Sequence, residues 1–318
     1  MRSLTLLFRL IFALLVSLGF APTGQAQQLD SWDDFGLAER STNASFFRQH
    51  ATLRLGREHR LPNGISWRLL TDVASGIAMP RLTWMRDRQR LLAANQLLEQ
   101  LHGGEMRLEA SWRLTLQEAY ARDLMTPPAL LRDAATRPAI VQKDVALTYA
   151  SERLVSLMVG GWFVSPGSHP PDLLRGVTFD IQTATMMQVT SCPGAGHSPG
   201  DRNPLFRYGR LLDLCDKATY RRFVSLVKEI DDAQPVRHLP REASDRSMGC
   251  WLEDPGQPLI REDQEYVLYL TFAGLAVQVS GPECPPVRTP DNPIIVPYRR
   301  LEPFMLAGPW RDELLRLR

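Results

Sequence analysis

The chain has 318 residues, 37 Lys and Arg against 35 Asp and Glu, and 44% apolar side chains. That is length for one large domain or two ordinary ones, each able to bury its own core. The near-neutral balance argues against nucleic acid or an anionic membrane as the main partner, because both demand a concentrated positive surface.

The first elements concern address. Arg2 and Arg9 lead into an apolar run over residues 10–20, and Gly24 and Ala26 supply the small residues of a cleavage site. Together they predict a secretory signal peptide over residues 1–26, cut after Ala26. The run is short for a bilayer span, and no cysteine lies near the cut to carry a lipid. The expected mature protein is therefore periplasmic or secreted, with no membrane span after cleavage. The removed stretch holds two arginines and no acid, so the remaining 292 residues balance their charge.

Residues 27–50 are polar and lack periodicity, and read as an irregular leader; Asn43-Ala-Ser45 within them is a formal glycosylation sequon that carries no weight. Alternation in residues 52–55 and 66–70, separated by Pro62-Asn-Gly64, predicts a strand, a turn and a strand. Residues 86–102 switch to helical spacing through Leu91, Leu92, Leu98 and Leu101, with Gly103-Gly104 as a stop. Strict alternation of Met106, Leu108, Ala110, Trp112, Leu114 and Leu116 with polar residues then predicts a half-buried strand. Pro127-Pro128 and the mixed composition of residues 126–138 suggest a boundary, giving an N-terminal α+β region over 27–142 and a C-terminal α+β domain over 143–318.

In the second part, residues 144–149 and 154–164 read as consecutive strands, with Gly160-Gly161 marking a bulge or a close backbone contact. A further strand covers 176–181, a turn at 183–185 leads into 186–189, and residues 191–204 form a loop. Residues 217–231 predict a helix through Tyr220, Phe223, Val224, Val227 and Ile230. Residues 265–272 and 275–279 face each other across Ala273-Gly274 as a two-residue hairpin. A short strand at 293–297, a helix around 301–305 and a basic amphipathic tail complete an α+β fold of antiparallel sheets and a few packed helices.

Four cysteines, Cys192, Cys215, Cys250 and Cys284, lie in the C-terminal half. An even count in an exported chain predicts two disulfides; three connectivities exist, and pairing of sequence neighbours is preferred. None shows the Cys-x-x-Cys spacing of structural zinc, so no metal and no cofactor are expected.

The segments Ser151-Glu-Arg-Leu-Val-Ser-Leu157, Gly167-Ser-His-Pro170 and Val177-Thr-Phe-Asp-Ile181 resemble an extracytoplasmic domain of unknown function. It is shared by RsiV-type anti-sigma factors and PdaC-type peptidoglycan deacetylases. Tyr269-Leu-Thr-Phe-Ala-Gly-Leu-Ala-Val277 and Ile294-Ile-Val-Pro-Tyr-Arg-Arg-Leu301 are similar to that domain's closing hairpin, strand and helix. The resemblance covers residues 144–306. It implies an envelope binding protein whose partner is an envelope protein such as a lysozyme, or peptidoglycan.

Among single residues, His169 stands out in a Gly- and Pro-framed turn. The preferred reading is a structural one, bonding the backbone of that turn, with no catalytic residue assigned. The alternative is a cell-wall hydrolase in which His169 works with a carboxylate such as Asp180. Asp180 itself precedes a turn and reads as its cap. His197 reads as exposed. Ser156 and Ser165 lack a nucleophile elbow. The acidic clusters Glu253-Asp254 and Glu262-Asp263-x-Glu265 read as solvated loops.

Overall fold

In a computed structural model, the described residues are 37–121, 140–163, 172–188, 209–233, 265–280 and 293–317. The expected signal peptide lies outside them.

Helix α1 (Leu37–His50) opens the description, where an irregular leader was expected. Over residues 43–50 its burial rests on Asn43, Ala44 and Phe47, a stripe too short and too polar to register as periodic. Strands β1 (Leu53–Arg60), β2 (Ser66–Asp72) and β3 (Ala78–Trp84) follow as an antiparallel sheet in chain order; the alternation and the Pro-Asn-Gly turn predicted the first two, and β3 was not expected.

Helix α2 (Arg88–Ala121) then runs for 34 residues. Asp87 starts it, its Oδ1 accepting the backbone N–H groups of Gln89 and Arg90 at 2.8 and 3.2 Å. The strand expected over residues 106–116 does not exist: this segment is the second half of the helix. Gly103-Gly104 does not stop it either. A Cβ at Gly103 would land on the carbonyl oxygen of Asn43, so this glycine lets α1 and α2 approach backbone to backbone. Asn43 is buried in that contact and accepts a hydrogen bond from Arg107 at 2.6 Å, which leaves the sequon no access to a glycan.

The C-terminal part is built on a five-stranded sheet, β4 (Ile140–Ala150), β5 (Leu154–Phe163), β6 (Asp172–Asp180), β7 (Thr185–Gln188) and β8 (Gly209–Arg210), ordered as numbered. All its pairs are antiparallel except the short β7–β8 pair. The register of β4 on β5 skips a residue opposite Gly160 and Gly161, so the bulge expected there sits on β4 instead. Helix α3 (Lys217–Ala233) is capped by Asp216, whose Oδ2 accepts the Thr219 N–H at 2.8 Å. It buries Phe223, Val224, Leu226 and Val227.

A second sheet joins β9 (Glu265–Leu270), β10 (Leu275–Ser280) and β11 (Ile294–Val296), with β10 central. Leu270 pairs with Leu275, which centres the turn on Phe272-Ala273, one residue before the expected Ala273-Gly274. A distant residue and a turn side chain hold it there. Tyr298 Oη donates to the Thr271 carbonyl at 2.7 Å, and the Gly274 N–H turns to Thr271 Oγ1 at 3.2 Å. Helix α4 (Tyr298–Leu301), a 3-10 turn (Glu302–Phe304) and helix α5 (Pro309–Leu315) end the description.

One large core gathers these elements: Tyr149 and Leu154 of the first sheet, Phe223 and Val227 of α3, Leu275, Val277 and Ile294 of the second sheet, and Leu301, Phe304 and Leu314. The segment 211–213 is clasped by 304–306 through Asp213 N to Phe304 O (2.7 Å) and Leu306 N to Leu211 O (3.0 Å). Tyr149 Oη donates to Glu313 at 2.7 Å, tying α5 to β4. No described helix is long and apolar enough to cross a membrane.

Candidate functional site

Asp180 lies at the end of β6 and is buried. Its Oδ1 accepts the N–H groups of Gln182 and Thr183 at 2.8 and 3.2 Å, and its Oδ2 pairs with Arg153 at 2.9 Å. Both oxygens of this carboxylate are committed to the β6–β7 turn and its neighbour, the β4–β5 turn. There Ser151 Oγ accepts the N–H groups of Arg153 and Leu154 at 3.0 and 2.9 Å. The Ser151 and Asp180 segments that carried the family resemblance are thus two abutting turns. Asp180→Ala should lower the unfolding free energy by about 2 kcal/mol, seen as a lower urea midpoint with an unchanged slope, because two backbone donors and Arg153 lose their acceptor. Asp180→Asn, which keeps one acceptor oxygen, should recover part of that loss; equal midpoints for both variants and the parent would refute the cap.

His169, the partner proposed for Asp180, lies outside the described residues. So do Ser165, Cys192, His197, Cys250, Cys284 and the acidic residues 253–254 and 262–263. Cys215 is described: it is exposed on the approach to α3, is disulfide-bonded, and accepts a hydrogen bond from Arg210 at 2.8 Å. Among the described residues no three His, Cys, Asp or Glu side chains group as metal ligands.

Two buried polar clusters escaped the sequence reading. The first joins α2 to β6: Arg175 Nη2 donates to Glu105 Oε2 at 3.1 Å, and Glu105 has no exposed surface. Burial pushes the Glu105 carboxyl up to about 7 despite the arginine, and burial lowers Arg175 to about 10. One turn earlier, His102 donates from Nε2 to the Ile77 carbonyl at 3.1 Å and packs on Phe47. Burial lowers its imidazole to about 4, so it stays neutral. The second cluster joins the two C-terminal sheets. Ser156 Oγ accepts the Leu270 N–H at 2.9 Å and shares a hydrogen bond with Thr178 Oγ1 at 2.8 Å. Ser156 is therefore a sheet-to-sheet fastener.

The surface chemistry concentrates elsewhere, on the β1–β3 sheet. Four of the six exposed large apolar side chains among the described residues belong to this sheet and its β2–β3 turn: Leu53 (39%), Leu55 (65%), Val73 (63%) and Trp84 (51%). Every residue of β1 is exposed. Around these apolar groups stand Arg54, Arg57, Arg60, Arg68 and Arg86, while Glu58 is the one acid on β1 and is engaged by Arg68 (3.7 Å) and Thr83 (2.8 Å). His59 stacks on Trp67 with ring centroids 4.5 Å apart.

The two edges of this sheet are treated differently. On β3, Asn95 of α2 bonds both the N–H and the carbonyl of Leu82 at 2.9 Å, and Gln142 of β4 accepts the Ala78 N–H at 2.6 Å. With His102 on Ile77, one side of the sheet is sealed by side chains. Strand β1 pairs only with β2 among the described strands, and no described side chain bonds its backbone. Sequence reading placed β1 and β2 but missed β3 and the role of the sheet, because an exposed edge is a property of sheet order and not of alternation.

No known family matches the sequence, and no curated protein matches it.

Proposed function

We propose that the protein is a periplasmic or secreted binding protein of the cell envelope, with a C-terminal part of the RsiV and PdaC type. Its ligand is an envelope protein such as a lysozyme, or peptidoglycan. The observation that carries this reading is a division of labour. Asp72, His102, Glu105, Glu109, Arg175 and Asp180 spend polar atoms on turns, helices and buried ion pairs, while apolar and arginine side chains gather at the surface of the β1–β3 sheet. Exposed apolar groups rimmed by polar ones mark interaction surfaces.

The test is saturable binding of the purified mature protein to sedimented peptidoglycan and, separately, to immobilised lysozyme. Binding to one of them supports the reading. Absence of both, or consumption of the peptidoglycan, overturns it. Mass spectrometry of exported protein should show an N-terminus at Gln27, and retention of residues 1–26 would contradict the export half of the reading.

A further inference from the structure

We propose that β1 is a docking edge for an extended, acidic segment of a partner protein, which adds to the β1–β3 sheet as a fourth strand. The inference deepens the binding reading above and rests on it. The first support is the asymmetry of the sheet. Side chains from α2 and β4 seal the β3 edge at Ile77, Ala78 and Leu82, whereas β1 offers eight exposed residues with no described partner on its outer side. An extended peptide satisfies such an edge with main-chain hydrogen bonds and gains selectivity from alternate side chains.

The second support is what the edge presents. Proteins guard open edges with charge and bulges, and β1 has both: Arg54, Arg57, Glu58 and Arg60, and a register shift between Leu55 and Glu58. A guarded edge has no use for apolar groups in water. Leu53 and Leu55 point to one face of β1. They give an added strand apolar side chains to cover.

Charge selects the occupant. Residues 51–90 hold eight arginines against Glu58, Asp72 and Asp87, and Asp72 is buried in its own turn. Arg54 and Arg57 form no ion pair with a described residue, so they are open to carboxylates on the incoming strand. A second copy of this chain at the same edge would set arginine against arginine, which destabilises a cross-strand pair.

The experiment uses the full mature chain and three labelled ten-residue peptides. One alternates Glu or Asp with Val, one carries Lys in place of the acids, and one is the acidic peptide interrupted by Pro. The acidic peptide should bind saturably and slow hydrogen exchange of the β1 amides. The Lys and Pro peptides should bind at least about tenfold more weakly, as should the acidic peptide to Arg54→Glu/Arg57→Glu. Absence of binding, equal binding of the Pro peptide, or binding without β1 protection overturns the docking edge. Applying the double variant to peptidoglycan and lysozyme separates the two readings. Capture equal to the parent's overturns the edge and leaves the envelope reading standing. If the parent binds neither but the acidic peptide protects β1, the edge stands and the named ligands fall.

Discussion

Arg175→Leu should lower stability by roughly 3–5 kcal/mol at pH 8, read from urea or guanidinium midpoints, because it leaves the Glu105 carboxylate buried without its cation. The loss should shrink at pH 5. There Glu105, held up near 7, takes a proton and no longer needs the guanidinium. Replacing both partners, as Glu105→Leu/Arg175→Met, should restore most of the stability, since the cost lies in orphaning a buried charge more than in losing the pair. If the single and double variants are equally unstable, packing and not charge governs the α2–β6 contact.

The same pair sets a pH dependence that His102 conceals. Glu105 ionises in the unfolded chain at its ordinary 4.5 and in the folded chain near 7, so its contribution is full below 4.5 and is lost as pH rises through 7. His102 runs the other way: its contribution is full above 6.5 and is lost as pH falls toward 4. Over pH 4.5–6.5 the two slopes oppose one another, each at most about 1.4 kcal/mol per pH unit. Glu105→Gln should therefore reveal a stability that climbs with pH to about 6.5, where the parent is nearly flat. A flat profile in that variant would show that His102 does not titrate against burial.

Gly176→Ala should be the other severe substitution. Its Cβ would land on the carbonyl oxygen of Leu268, a backbone atom of the opposite sheet. Neither strand has room to retreat. Gly176 is held in register opposite Met158, and β9 is held by β10 and by Ser156 through the Leu270 N–H. Overpacking costs about 1–3 kcal/mol where side chains can yield, and this obstacle is main chain, so a loss at or above about 3 kcal/mol is expected. For a domain of this size that lowers the melting temperature by roughly 10 °C, measurable by circular dichroism. A shift under about 3 °C would mean that the sheets separate readily here.

Strands β1 and β2, the longer strands of the C-terminal part, helix α3 and the α+β class were legible from apolar alternation and helical spacing, whereas β3 and the short β8 were not. Helix α2 was not. Its inward stripe runs through Ala94, Leu98, Leu101, Glu105, Glu109, Trp112 and Leu116, in steps of three and four. Two glutamates occupy its centre, so a count of apolar residues loses the helical period there and finds an accidental alternation instead. Their charge partners, Arg175 of β6 for Glu105 and Arg113 one turn on in the same helix for Glu109, make those positions tolerable in the interior. The hairpin turn moved by one residue for a comparable reason: the hydroxyl of Tyr298, 27 residues away, takes the Thr271 carbonyl. The candidate site was half legible. Asp180 was recognised as a turn cap, but the open β1 edge depends on which strands neighbour which, and alternation carries no such information.

The clasp of residues 211–213 by 304–306, and the bond from Tyr149 to Glu313, set an order of events for the growing chain. The apolar faces of β4, β5 and α3 find their cover in residues 294–314, so they stay open to water until those residues have been synthesised. Contacts this distant in sequence form slowly and leave uncovered surface exposed to aggregation in the meantime. A newly made chain is therefore most exposed to its neighbours until helix α5 arrives.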